Sequence, residues 1–72
     1  MIVESEYRGF RIEVNAVAER DRFNAEVRVL QLFSREKPHV EIVSCWKQAA
    51  VLAERAGAVY ARRWVDSRLY SE

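Results

Sequence analysis

Residues 44–66, SCWKQAAVLAERAGAVYARRWVD, decide how the rest of the chain is read. Ala49, Leu52, Ala53, Ala56, Tyr60 and Trp64 recur at steps of three and four, the spacing that gathers side chains on one face of an α-helix. Most of that face is alanine, so a sheet can come close to it. Ser44 suits the N-cap, where its hydroxyl accepts from an unpaired N–H of the first turn. Arg62, Arg63 and Arg68 lie toward the end where the helix dipole favours cations. Gly57 costs a helix about 1 kcal/mol relative to alanine. Beside Ala53, Ala56, Ala58 and Ala61 it marks a close approach to another backbone.

The same helix carries a second apolar stripe, Val51, Ala58 and Val65 at seven-residue spacing with Leu69 one turn on. The spacing sets this stripe roughly opposite the first, which makes it a candidate interface. Twenty-two helical residues extend to roughly 33 Å, whereas a strand of eight spans only about 27 Å. The last turns, with Tyr60 and Trp64, are therefore expected to overhang the sheet.

Upstream, residues 7–18 alternate: Arg8, Phe10, Ile12, Val14 and Ala16 on one side, Tyr7, Gly9, Arg11, Glu13 and Asn15 on the other, as in a half-buried strand. Residues 1–6 fit either a frayed end or the lead-in to a strand. Residues 19–22 form a turn, and residues 22–33 a second strand. Cross-strand charge selects the register: Glu13 opposite Arg28 sets Val14 against Val27 and Ile12 against Val29, and it places Leu30 beside Arg11 and Leu32 beside Gly9. Either a bulge near Val29 turns those leucines inward, or they lie on the open face and want a cover. After a polar turn at residues 34–37, Pro38 opens a third strand, 38–43, with Val40 and Ile42 inward.

With 72 residues the chain is one domain near the lower size limit for a single core. Twelve basic and eleven acidic side chains are mixed along it, for a net charge of +1, so bulk charge speaks against a nucleic-acid binder. Cys45 is the only cysteine, which excludes an internal disulfide. The start MIVESEYRG lacks the apolar core of a signal peptide, and no run reaches the roughly 20 residues a membrane span needs. A cytoplasmic protein is the expectation.

Catalytic chemistry finds little support. His39 and Cys45 are the only strong nitrogen and sulfur ligands, too few for a metal site, and neither glycine belongs to a phosphate cradle; no cofactor is expected. Cys45 at the first helical turn, with His39 six residues upstream, is the one pairing that can resemble an activated nucleophile. For nucleic acid the candidate contacts are Arg20 and Arg22 in one turn, Arg35 and Lys37 in the next, and Lys47 at the helix start.

The opening YRGFRIEV and the closing ARRWVD resemble a family of small uncharacterised bacterial proteins that begin Tyr-x-Gly-aromatic and end Ala-x-x-Trp-aliphatic-Asp. The likeness covers residues 7–66 and implies no activity. More distantly, Tyr7, Gly9 and Phe10 are similar to the start of HicB-type antitoxins, whose domain also runs through three strands into a helix. This chain departs from those by lacking a DNA-binding segment after the helix. The double-stranded-RNA-binding domain shares three strands then a helix, but its first helix and its lysine cluster have no counterpart here.

The expected architecture is α+β: a three-stranded antiparallel meander (7–18, 22–33, 38–43) with one long C-terminal helix (45–67) packed on one face. Its core is Phe10, Ile12, Val14, Phe23, Val27, Val29, Val40 and Ile42 against Ala49, Leu52, Ala53, Ala56, Tyr60 and Trp64. The expected function is a non-catalytic interaction module that self-associates through Val51, Ala58, Val65 and Leu69 or through Leu30 and Leu32. A nucleic-acid-linked regulator is the alternative.

Overall fold

Alternation runs further toward both ends of the β-region than the spacing of residues 7–43 suggests. The computed structural model describes residues 2–71 and has four strands, β1 (Ile2–Tyr7), β2 (Phe10–Glu19), β3 (Arg22–Gln31) and β4 (His39–Lys47), followed by α1 (Ala50–Tyr70). The strands form one antiparallel sheet in the order β1-β2-β3-β4, with the helix on one face. The α+β class stands, with four strands in place of three.

The expected first strand is broken by a hairpin. Tyr7 pairs with Phe10, and the two residues between them, Arg8 and Gly9, take φ of 51° and 85°. Positive φ at both central positions is what a tight right-twisting hairpin turn needs, and glycine supplies one of them without strain. That turn lets residues 2–7 return along β2. Between β2 and β3 the register is the one chosen by charge: Glu13 faces Arg28, Val14 faces Val27 and Ile12 faces Val29. No break occurs at Val29 or Leu30, so Leu30 stays on the face away from the helix.

β4 departs most from expectation. Val27 faces Glu41 and Val29 faces His39, which sends His39, Glu41 and Val43 toward the helix. Val40 and Ile42, expected inward, are instead 55% and 51% exposed on the open face. The polar residues turn in because the helix offers them partners, described below. β4 also continues through Lys47, bulging between its contacts with Ala25 and Phe23. Asn24, only 2% exposed, pins that bulge: its Oδ1 accepts from the Trp46 N–H at 2.9 Å and its Nδ2 donates to Glu19 at 2.9 Å. Ser44 is thus a strand residue, and the helix begins after Ala49, which gives no side-chain cap.

The helix is also rotated from the expected face. Its fully buried row is Ala53, Gly57, Ala61 and Val65, lying over β2 and β3. Leu52 is largely exposed, while Tyr60 and Trp64 are half-buried on the β4 side. The larger residues mark the flank of the contact, because the line of closest approach has room only for the smallest. A Cβ on Gly57 would lie 2.7 Å from Val14 Cγ1, 2.8 Å from Ala25 Cβ and 3.2 Å from Val27 Cγ2. The close approach is to side chains of the sheet. With strands of ten residues, Tyr60 and Trp64 remain over the sheet and do not overhang it.

Gly57→Ala sets a gain of about 1 kcal/mol in helix propensity against an overpacking cost of about 1–3 kcal/mol. Neither Val14 nor Ala25 has a flexible end to yield, so the variant is expected to be less stable by urea denaturation. Ala25→Gly in the same chain should recover part of the loss. A Gly57→Ala protein more stable than wild type would contradict this packing.

Candidate interaction surface

Two polar clusters tie the helix to the sheet, one on each flank. On the β1 side, Asp66 accepts from the Tyr7 hydroxyl at 2.8 and 3.0 Å and from Arg8 Nη1 at 2.7 Å. The first hairpin turn is thereby clipped to the helix four turns beyond its start. The hydrogen bonds with Arg8 and Tyr7 lower the Asp66 pKa, and the bond to Asp66 raises that of Tyr7. Two residues back, the ring of Trp64 meets Phe10 edge-on at 6.4 Å. The opening Tyr-x-Gly-Phe and the closing Trp-Val-Asp therefore meet in space, as structural partners.

On the β4 side, His39 stacks on Trp64 with ring centroids 4.6 Å apart and planes 13° from parallel. Its Nε2 lies 2.8 Å from Glu41 Oε1, while the other carboxylate oxygen accepts from the Tyr60 hydroxyl. Those two bonds, Tyr60 first, lower the Glu41 pKa, and Glu41 raises that of Tyr60. Arg68 lies over the Trp64 ring, its Cζ 5.6 Å from the centroid, and donates to Glu36 at 2.6 Å. The hollow between this cluster and Pro38 measures about 240 Å³, smaller than the roughly 300–1,000 Å³ of small-molecule sites.

His39 and Cys45 do not meet. They share one face of β4 six residues apart, about 20 Å in an extended chain, and Cys45 Sγ is directed at the Phe23 carbonyl, 3.6 Å away. Cys45 is part of a strand and packs against the core, so the helix dipole does not reach it as expected.

The expected helix interface is redistributed. Val65 is fully buried and Leu69 packs on the core, so both are taken out of the outer surface. Ala58 is half-buried on the β1 flank, near Val3, and Val51 alone of the four is mainly exposed. The reason is rotation: the buried row runs through Val65, and a seven-residue spacing drifts across a helix of 3.6 residues per turn.

The basic candidates fall into two groups. Arg20, Arg22 and Lys47 gather at one end of the sheet, where Phe23 faces Lys47 and Arg20 takes a φ of 58°. Arg35 and Lys37 are exposed at the other end, in the connection from β3 to β4.

What remains is the open face of the sheet. Its β1 and β2 half carries Glu4, Glu6, Arg11 and Glu13, with Arg28 of β3 3.9 Å from Glu13. Its other half carries Leu30, half-buried, with Val40 diagonal to it and Ile42 beyond. Leu32 follows β3 and is half-buried, its N–H bonded to the Gly9 carbonyl at 2.9 Å. Sequence reasoning missed Val40 and Ile42 because both parities of HVEIVSC place apolar residues on either side. The usable signal was on the helix: Tyr60 and Trp64, one turn apart, offer a hydroxyl and a ring to His39 and Glu41.

No family model, curated protein or solved structure matches the chain. Among the described residues, no helix is long and apolar enough to cross a membrane.

The clusters set the pH range of stability. Asp66 and Glu41 bind protons more weakly folded than unfolded, so their contribution is complete above the ordinary carboxylate range and is lost as pH falls through their lowered values. Tyr7 and Tyr60 contribute below the ordinary tyrosine pKa and lose that contribution as pH rises through their raised values. Denaturation midpoints against pH should fall at both extremes, and Asp66→Asn should flatten the acid limb. An unchanged acid limb in that variant would remove Asp66 from the account.

Proposed function

We propose that this chain is a non-catalytic, cytoplasmic interaction module that self-associates through the β3 and β4 half of its open sheet face. What carries the reading is the exposed apolar pair on the outward side of β4. Val40 and Ile42 stand half out of water on β4, across from Arg28 and Glu26 of β3, with Leu30 diagonal to Val40. A solvated sheet face alternates apolar-in with polar-out. Here the outward positions of β4 from residue 40 to 44 are Val40, Ile42 and Ser44, without a charge among them. The polar residues of the same strand are held on the helix side by Trp64 and Tyr60. A fold that turns its polar residues in and its apolar ones out leaves an apolar surface for a partner.

A second reading, a nucleic-acid-linked regulator of the antitoxin or RNA-binding kind, draws on Arg20, Arg22 and Lys47 at one end of the sheet. Glu19 and Asp21 interleave with them, and the open face carries Glu4, Glu6, Glu13 and Glu26 against Arg11 and Arg28, which repels phosphate.

Ile42→Lys and Arg22→Glu separate the two. In sedimentation velocity from micromolar to millimolar concentration, wild type should shift from monomer to dimer. Ile42→Lys should raise the dissociation constant at least tenfold, because it places like charges at the contact, with the far-UV circular dichroism unchanged. Single-stranded RNA retarded at low salt by wild type and released by Arg22→Glu would favour the second reading. A wild-type chain that stays monomeric throughout would end the first.

A further inference from the structure

We propose that β1 is a strap that swings off the edge of β2 as one unit, hinged at Arg8 and Gly9 and latched by Asp66, while β2, β3, β4 and the helix stay folded. The inference is independent of self-association and concerns the opposite edge of the sheet.

β1 supplies no residue to the buried core. Residues 2–6 are all exposed, and Tyr7 alone packs against a core drawn from β2, β3 and the helix. The helix-facing side of β1 is loosely covered as well. Val3 is 43% exposed, and a hollow of about 250 Å³ lies between it and Val51, Glu54, Arg55 and Ala58 of the helix. A segment with so few buried apolar contacts opens at less than the cost of unfolding the whole chain.

Two features push β1 outward. Glu4 lies directly opposite Glu13, a like-charge pair that weakens the ladder between them. Arg28, 3.9 Å from Glu13, draws on the same carboxylate but sits on β3, one strand further from Glu4. Arg8 is held at a φ of 51°, a left-handed conformation unfavourable to any residue with a Cβ, and a swing at the hinge releases it. Gly9, at 85°, turns through that region freely.

Against these stand the ladder and one latch. Arg8 Nη1 donates to Asp66 at 2.7 Å, and the Tyr7 hydroxyl donates to the same carboxylate at 2.8 and 3.0 Å. The latch thus grips the hinge residue Arg8 and its neighbour, so β1 is not free to rotate there until Asp66 lets go. The Arg8 and Asp66 side chains are each about half exposed, where water competes for their bonds and the latch is weak enough to release. Glu6 opposite Arg11 helps to keep the strap shut. Open, the strap leaves the backbone of β2 from Phe10 to Asn15 without its partner strand, which bares a sheet edge and keeps the core intact.

Residue-resolved amide hydrogen exchange on the whole chain tests the strap, under conditions where rates report the opening equilibrium. Ladder amides between β1 and β2 are expected to share one rate, at least tenfold faster than those between β2 and β3. Asp66→Ala should speed the first set at least fivefold and leave the second unchanged. Glu4→Gln, which removes the repulsion, should slow the first set about twofold or more, whereas Glu6→Gln, which removes an attraction, should speed it. A β1 that exchanges only at the rate of the β2–β3 ladder overturns the strap. So does a gradient of rates falling from Ile2 to Tyr7 that Asp66→Ala leaves unmoved, which is the mark of a frayed end, or a shift of the same sign from Glu4→Gln and Glu6→Gln.

Discussion

The contact between Gly57 and the side chains of Val14, Ala25 and Val27 sets the geometry on which the rest of the structure depends. Close packing rewards a helix for approaching a sheet only as far as the residues between them allow. Here the row Ala53, Gly57, Ala61 and Val65 brings the helix down over the two central strands. Once that line is fixed, larger side chains have to lie to either side of it. Leu52, Tyr60 and Trp64 fall toward β4, and Asp66 falls toward β1.

That arrangement explains why each flank is polar. A side chain at the margin of a helix–sheet contact is half in water, where a hydrogen bond costs little desolvation and still fixes direction. Asp66 holds the tight turn at Arg8 and Gly9, and through it the whole of β1. Glu41 and His39 meet Tyr60 and Trp64, and this is what decides the parity of β4. With the parity decided, Val40 and Ile42 have nowhere to go but the open face. The exposed apolar surface therefore follows from the core packing through two polar clusters.

Much of the fold was legible in the residues, and the failures share a cause. The β2–β3 register was readable because Glu13 and Arg28 discriminate between shifts, and the close approach at Gly57 because alanines surround it. The expected face, drawn from three- and four-residue spacing, shares only Ala53 with the buried row, because the tightest contact selects the smallest residues, Gly57 among them. Ser44 suits a cap by its hydroxyl alone, yet it lies in β4. Asn24 keeps that segment in the sheet through a long-range hydrogen bond that no local pattern announces. The first strand was hidden because a tight turn at Arg8 and Gly9 leaves the alternation on either side looking continuous. Of the candidate interface, Leu30 and Leu32 keep their place near the open face, and Val65 is lost to the core. The most exposed members, Val40 and Ile42, depend on tertiary partners and so were out of reach of periodicity.

The central claim is that the helix-side polar cluster turns Val40 and Ile42 of β4 outward and that the chain associates through them. Residue-resolved amide hydrogen exchange, compared between dilute and concentrated protein, reads this most directly. The outward-facing amides of residues 40–44 are predicted to exchange at least tenfold more slowly in the concentrated sample, while those of β1 keep one rate throughout. Slowing confined to β1 or to the helix, or rates in β4 that ignore concentration, would contradict the account.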